Sequence, residues 1–244
     1  MNWFTRRLSA RGPLRAAALA AGSAVVLAAT FSGPAQAATE NRSVAGFDEV
    51  VFAVAGEVSI EQGPQETLAL EAEPAVLRKI TTEVQGRRLL IGLSPGRIET
   101  QQPIRMKLGV QTLRAFESRT AGTIRIGPLR SDALALVLAG GGSIRLDRLD
   151  NARSLDVKIT GAGDVAVAGG TVTAQQLAIT GMGSYTAPGL ASERAEVAID
   201  GNGEVELAAS RTLAVRIGGV GHVRYHGDPA VTRSIRGIGT IEKD

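Results

Sequence analysis

The sequence predicts an all-β protein, a single-stranded parallel β-helix (β-solenoid) with coils of about 20 residues that turn on Gly-x-Gly. Three observations support this prediction. Glycine pairs return at near-equal spacing, apolar residues alternate with other residues on both sides of each pair, and the same residue types return at the same offset from each pair. Regular repetition of this kind is typical of proteins built from stacked units.

The first 37 residues are predicted to be a secretory signal peptide. A basic leading region precedes an apolar stretch from about Ala17 to Ala29, and an A-x-A cleavage pattern follows at residues 35–37. The basic residues of this leader are Arg6, Arg7, Arg11 and Arg15. The apolar stretch is short for a membrane span, so cleavage is the expected outcome and a retained N-terminal anchor is the alternative.

The basic charge of the chain belongs mostly to this leader. The whole chain has 27 basic and 24 acidic residues, for a formal net charge of +3. Removal of the leader takes away four arginines and no acidic residue, which leaves 23 basic residues against 24 acidic ones. We therefore expect no nucleic-acid partner, and no integral membrane span after signal cleavage.

The glycine repeat runs through the second half of the chain. Its spacings, counted from Gly122 through the second glycine of each pair, are 20, 21, 20, 20, 18 and 18 residues. Ala121-Gly122 is a degenerate first member. The full pairs are Gly140 with Gly142, Gly161 with Gly163, Gly181 with Gly183, Gly201 with Gly203, Gly219 with Gly221, and Gly237 with Gly239.

Each repeat reads as strand, corner, strand and a looser return. Apolar residues alternate before the corner, as in Leu155, Val157 and Ile159, and again after it, as in Val165 and Val167. Alternation with period two indicates strands that bury one face. Glycine is expected at the corner because coils must nest closely and because the sharp turn favours positive φ. An antiparallel two-sheet fold is the structural alternative.

The domain organisation follows from where the repeat begins. Residues 38–112 are strand-rich without Gly-x-Gly marks, which predicts N-terminal β-rich coils or a cap. Residues 113–244 are predicted to be the repeat array, and residues 38–244 together one continuous domain. A cap is expected because an open β-helix end would present unpaired strand edges.

Several segments carry a family resemblance. They are Phe47-Asp48-Glu49-Val50, Val58-Ser59-Ile60-Glu61-Gln62-Gly63, Leu89-Leu90-Ile91, Pro103-Ile104-Arg105-Met106-Lys107-Leu108, Gly161-Ala162-Gly163-Asp164-Val165 and Gly201-Asn202-Gly203-Glu204-Val205. Together they resemble the family described as putative auto-transporter adhesin, head GIN domain, over roughly residues 44–242. The resemblance implies a β-solenoid outside the cytoplasm. It does not imply a reaction, because the family has no established catalytic residues to carry over. Thr120-Ala121-Gly122 departs from the recurring turn and is interpreted as a degenerate first repeat.

A search for carboxylate chemistry finds no convincing catalytic set. Asp164 and Glu204 hold the same offset after their corners, with Ser184 between them, and lie two coils (roughly 10 Å) apart by ladder spacing. Asp200 and Glu204 flank one corner. A lyase or hydrolase needs two or three carboxylates close together, so a solvated face is the favoured interpretation.

The two histidines also predict no site. His222 and His226 alternate with Arg224 on one strand face, near Asp228, and Arg224 would repel a metal ion. Tyr185 and Tyr225 point inward by alternation and are predicted to be core. Strands rather than helices follow the glycine pairs, so no phosphate loop is predicted. No catalytic, cofactor-binding or metal-binding residue is predicted, and no cofactor.

The leading functional hypothesis is an exported, non-catalytic binding or structural module, periplasmic or secreted to the cell surface. Its partner is unknown, and a cell-envelope glycan or protein is the candidate. A carbohydrate-active β-helix enzyme is the alternative, and an envelope assembly component without a ligand is a third hypothesis. The outward residues expected to form the binding ladder are Lys158, Thr160, Asp164, Thr180, Ser184, Asp200 and Glu204.

Overall fold

A computed structural model describes residues 37–96, 100 and 102–244. The predicted signal peptide therefore lies outside the described residues, apart from Ala37. No helix within the described part is long and apolar enough to cross a membrane. The described residues belong to one compact unit that spans residues 35–244.

Nearly all of the described chain is β-strand. The elements of the first half are β1 Ala38–Arg42, β2 Glu49–Phe52, β3 Gly56–Gln62, β4 Thr67–Ala72, α1 Pro74–Leu77, β5 Ile80–Gln85, β6 Arg88–Leu93, β7 Arg105–Val110, β8 Ala115–Ser118 and β9 Gly122–Ile126. Those of the second half are β10 Leu129–Arg130, β11 Ala133–Leu138, β12 Gly141–Leu146, β13 Leu149–Ile159, β14 Ala162–Val167, β15 Gly170–Ile179, β16 Met182–Ala187, β17 Leu190–Ile199, β18 Asn202–Ala208, β19 Thr212–Ile217, β20 Val220–His226, β21 Ala230–Ile235 and β22 Ile238–Lys243.

The strands form two long sheets that run along one solenoid. Sheet A has the order β1-β4-β7-β3-β9-β12-β14-β16-β18-β20-β22. Sheet B has the order β21-β19-β17-β15-β13-β11-β8-β2-β6-β5, with β10 paired to β13. From β8 onward, each coil passes from a strand of sheet B through a corner to a strand of sheet A, and all these neighbours are parallel. The predicted single-stranded parallel β-solenoid is confirmed.

Residues at equal offsets from the corners stack in register. Along sheet A, Gly142, Gly163, Gly183 and Gly203 are successive ladder partners. The inward neighbours of this column are apolar and buried, and both tyrosines lie among them, Tyr185 at 1% exposure and Tyr225 at 6%. The placement of the two tyrosines in the core is therefore confirmed.

Close stacking explains most of the corner glycines. A Cβ placed on Gly181 or Gly201 would lie under 3.0 Å from the carbonyl oxygen of the glycine one coil earlier, which side-chain carbons essentially never do. Positive φ occurs at only two of the Gly-x-Gly corner glycines, all of which are described: Gly142 at 102° and Gly163 at 154°. The expectation of positive φ is wrong for the others. Most of them require glycine because a Cβ would meet the backbone of the preceding coil, whereas at Gly203 and Gly221 it would meet isoleucine side chains.

The N-terminal coils are stacked out of chain order. β2 pairs in parallel with β6 on one side and with β8 on the other, and β3 does the same with β7 and β9. The coil formed first in the chain therefore lies between two coils that come later. Beyond it, β1, β4 and β5 pair antiparallel and, with α1, cover the end of the solenoid.

The Asp48 carboxylate connects the out-of-order coils through contacts with two arginines. Its carboxylate is buried at 3% side-chain exposure and accepts two hydrogen bonds from Arg87, at 3.1 Å and 2.5 Å, while Arg114 approaches to 3.9 Å. Arg87 precedes β6 and Arg114 precedes β8, so one carboxylate links three coils. The hydrogen bond that Arg87 donates to Asp48, and then the negative charge of Asp48, raise the pKa of Arg87 above its ordinary value.

Candidate ligand-binding grooves

The seven residues of the predicted binding ladder fall into three separate columns. Lys158 lies on the outer face of sheet B. Thr160, Thr180 and Asp200 stack at the corner, where each amide donates to a carbonyl one coil earlier, and Asp200 pairs with Arg216 at 3.2 Å. The last column, on the outer face of sheet A, is composed of Asp164, Ser184 and Glu204.

A groove follows this last column along sheet A. Its floor is the backbone of the glycine column Gly183, Gly203, Gly221 and Gly239. The side-chain positions of this column point inward, since a Cβ on Gly203 or Gly221 would meet the core side chains of Ile179 or Ile199. One wall is polar and the other is more apolar. The polar wall is Asp164, Ser184, Glu204, His222 and Thr240, and the other wall is Met182, Asn202, Val220 and Ile238. We call this surface the glycine groove; its volume is about 450 Å³.

The two walls of the glycine groove differ in chemistry. Met182, Val220 and Ile238 are exposed at 62%, 48% and 74%, which is unusual for large apolar side chains in one column. Val220 and Ile238 are ladder partners, and Asn202 lies between Met182 and Val220. Opposite them, Ser184 donates a hydrogen bond to Asp164 at 2.5 Å. Glu204 has no hydrogen-bond or ion-pair partner among the described residues. The groove therefore offers an apolar strip beside acceptor and hydroxyl groups.

The two histidines share the outer face of β20 with Arg224, as the alternation predicted, but they contact different groups. His222 contacts the Thr240 hydroxyl in the glycine groove. His226 is half-buried, with Nε2 3.0 Å from Glu206 and Nδ1 3.4 Å from Asp244. Sequence reasoning missed this cluster because it considered Asp228, which instead accepts a hydrogen bond from Lys243.

The cluster around His226 does not form a ligand set. Glu206 and Asp244 approach opposite ring nitrogens, so their carboxylates cannot converge on a single ion beside the ring. Neither ring nitrogen is left free to act as a general base. No group of three or more such side chains that could hold a metal ion occurs within the described residues.

A second groove begins where the repeat shortens. Leu207 pairs with Ala187, an offset of 20 residues, but the Ser210 amide donates to the Ser192 carbonyl, an offset of 18. Only two residues, Ala208 and Ala209, therefore cover the path that Pro188, Gly189, Leu190 and Ala191 take in the preceding coil. The following coil keeps the shorter path, since Ala208 pairs with His226. The side of the solenoid steps inward at this point.

A buried polar network lies under the step. Gln175 and Ser192 are exposed at 3% and 5%, and both donate hydrogen bonds to the Ala208 carbonyl, at 3.0 Å and 2.6 Å. Tyr185 donates to Gln175 at 3.0 Å, and Gln175 also donates to Ser192 at 2.9 Å. Burial raises the pKa of the Tyr185 phenol. These side chains form hydrogen bonds with a backbone carbonyl and with one another at the point where the regular ladder of backbone hydrogen bonds is interrupted.

The step leaves a groove of about 570 Å³, which we call the step recess. It crosses successive coils and ends near Gly227. It is lined by Asn151, Ala152, Arg153, Thr171, Val172, Thr173, Ala191, Ser192, Glu193, Ala208, Ala209, Ser210, His226 and Gly227. The change in glycine spacing from 20 to 18 residues was the sequence signal for this recess, but sequence reasoning drew no site from it.

Comparison with known proteins identifies the family. A family described as putative auto-transporter adhesin, head GIN domain, matches residues 46–229. The chain belongs to this family. The resemblance inferred from the sequence is therefore confirmed over most of the described chain, and the family's adhesin description favours a surface or extracellular location. No curated protein matches the chain.

Solved structures of putative adhesins share the fold. One from Bacteroides fragilis has a TM-score of 0.81 at 22% identity, over 86% of this chain and 97% of that chain. One from Parabacteroides distasonis has a TM-score of 0.68 at 21% identity, over 87% and 98%. One from Parabacteroides merdae has a TM-score of 0.68 at 19% identity, over 87% and 98%. At these identities the likeness supports the fold and assigns no ligand.

Proposed function

We propose that this member of the family is an exported, non-catalytic, adhesin-like module that binds an extended cell-envelope polymer, a glycan or a protein segment, in the glycine groove. Export would follow cleavage after residue 37, with residues 38–244 acting as one domain in the periplasm or at the cell surface. The polymer would lie along the solenoid axis and cross one strand per repeat, about every 4.8 Å.

One observation carries this proposal: the in-register glycine floor between an apolar wall and a polar wall. An amphipathic polymer, such as a sugar chain with apolar ring faces and hydroxyl edges, can satisfy both walls at once. Ser184 and Glu204 would accept or donate hydrogen bonds on one side. Met182 and Val220 would cover the apolar side of the ligand on the other.

The arrangement of the charged groups supports a non-catalytic role. Asp164 and Glu204 are separated by the intervening strand of Ser184. The next carboxylate of their column, Glu57, lies three strands beyond Asp164 and pairs with Arg105. Glycosidic bond cleavage requires two carboxylates that flank one bond. The cluster around His226 has both ring nitrogens engaged. A carbohydrate-active enzyme is therefore the less supported alternative.

The experiment is a glycan array together with a pull-down of envelope polymers by the purified full chain. We expect saturable capture of a defined polymer, and at least a tenfold loss of affinity in Ser184→Tyr, whose ring would fill the centre of the groove. Thr186→Tyr is the matched control because Thr186 lies outward on the same strand, β16, but outside the groove lining.

Each alternative result has a definite meaning. Equal binding by the Ser184 and Thr186 variants would remove the glycine groove from the proposal. Release of shortened polymer products during the assay would overturn the non-catalytic part. Failure of the folded full chain to capture any polymer would contradict the adhesin-like function itself.

A further inference from the structure

The step recess is separate from the glycine groove and has a different character. It lies where strands β13, β15 and β17 begin, before they enter the main ladder of sheet B. Ala152, Val172 and Ser192 are successive ladder partners at the start of these strands, Ala191 precedes Ser192, and Ala208 and Ala209 follow across the step. The apolar part of the lining therefore consists of the methyl groups of Ala152, Val172, Ala191, Ala208 and Ala209.

The polar atoms beneath this floor are already paired with one another. Ser192 and Gln175 both donate to the Ala208 carbonyl, and the Gln175 oxygen accepts from Tyr185. A polar ligand would gain no hydrogen bond from these groups without breaking one that exists. An apolar ligand incurs no such cost.

The charges at the rim are likewise neutralised within the protein. They form ion pairs of Arg153 with Asp132 at 2.9 Å, Glu193 with Arg211 at 3.5 Å, and His226 with Glu206 at 3.0 Å. No unpaired charge points to a charged ligand among the lining residues. The recess is thus complementary to an uncharged occupant.

The length of the recess further restricts the class of ligand that it can hold. The lining residues belong to five successive coils, from Asn151 to Gly227. Four steps of about 4.8 Å give a length of about 19 Å along the solenoid axis. Asn151, which has a left-handed backbone with φ of 56°, turns β13 at one end of the recess. Its amide donates to the Thr171 hydroxyl at 3.1 Å, which holds this turn against the next coil.

From this geometry we infer that the step recess binds a single acyl chain, extended along the solenoid axis with its head group outside the recess. The methyl-lined floor removes the chain from water, and the paired rim charges make the contact insensitive to the head-group charge. This site adds a lipid-binding activity that is independent of polymer binding in the glycine groove.

The test is competition against a dansyl-labelled fatty acid bound to the purified full chain. Unlabelled saturated fatty acids and their methyl esters serve as competitors. We expect saturable binding, acid and ester affinities within about threefold, and affinity that rises about two- to fourfold per added methylene until the chain spans the recess. Free acids that compete while their esters do not would overturn the inference, because the head group would then dominate recognition.

Ala191→Trp is the decisive variant because Ala191 is exposed and faces into the recess. We expect at least a tenfold loss of probe affinity. Ala214→Trp is the control, an exposed alanine of β19 outside the recess lining. Thr171→Trp provides a second obstruction if Ala191→Trp does not fold, as judged by circular dichroism. Unchanged affinity in a folded obstruction variant, or no saturable binding to the unmodified chain, would overturn the site.

Discussion

The two ends of the solenoid are closed in different ways. At the N-terminal end, antiparallel strands and α1 cover the first coils, and Leu70 and Val76 of this cap are buried at 0% and 2%. At the other end, β21 and β22 each pair with a single described strand, and β21 is largely exposed. One end is covered by added structure, whereas the other leaves its backbone edge open.

At the open end, two basic residues occupy ladder positions that are apolar in the preceding coils. Arg233 is the ladder partner of Val215, and Lys243 is the ladder partner of Tyr225. Both basic residues therefore occupy columns that are apolar and buried in the preceding coils. A further coil stacked on this end would bury two charges, at a cost that its apolar contacts could not easily offset. The comparison shows that the two ends limit further stacking by different means, added strands at one end and charged ladder positions at the other.

The largest expected effect is at the covered end. Leu70→Ala should lower the free energy of unfolding by about 2–5 kcal/mol, because it leaves a cavity in the cap. Ile235→Ala, at 43% exposure on the open end, should cost under about 1 kcal/mol. Urea denaturation measures both. Equal losses would contradict the difference between the two ends.

The corner glycines between the ends come next in expected effect. Gly181→Ala should destabilise the chain by about 1–3 kcal/mol, because its Cβ would meet the Gly161 carbonyl. Gly63→Ala is the matched control, since nothing lies within 4 Å of a Cβ there. Thermal unfolding of the two variants compares them directly. A Gly181 variant as stable as the Gly63 variant would refute the close-stacking explanation.

A smaller effect is expected at the junction of the out-of-order coils. Asp48→Asn should lower the free energy of unfolding by about 1 kcal/mol, since Arg87 and Arg114 are 68% and 65% exposed and can return to water. A double-mutant cycle with Arg87→Gln, measured by urea denaturation, isolates the pair. Additive effects of the two substitutions would show that the ion pair does not link the coils energetically.

The smallest effect on stability, but a clear one on association, is expected from the charges at the open end. Arg233→Leu combined with Lys243→Leu should increase end-to-end association, since the exposed edges would then carry apolar columns. Sedimentation velocity over a range of concentrations measures this. Lys158→Leu controls for added surface apolarity because Lys158 lies on the outer face of sheet B. An equal increase in both variants would contradict a role specific to the end.

The repeat explains why the sequence predicted so much of the fold. Val165 and Tyr185 stand at equal offsets from their corners, and ladder pairing places them in the same buried column. The same logic predicted the column of Asp164, Ser184 and Glu204, which forms one wall of the glycine groove. What the repeat could not predict is the second wall, because the apolar residues there occupy the variable middle position of the corner.

Local sequence patterns by themselves determined the strand periodicity, the positions of the corners and the identity of the core columns. The reason is that residues at equal offsets from successive corners stack on one another as ladder partners. Only the tertiary structure decided which coil lies beside which. Asp48 reaches Arg87 and Arg114 through space, and His226 reaches Asp244 across coils. The step recess likewise depends on how Ala208 and Ala209 lie against the coil before them. Pairing between strands depends on three-dimensional neighbours, so no linear pattern specified these contacts.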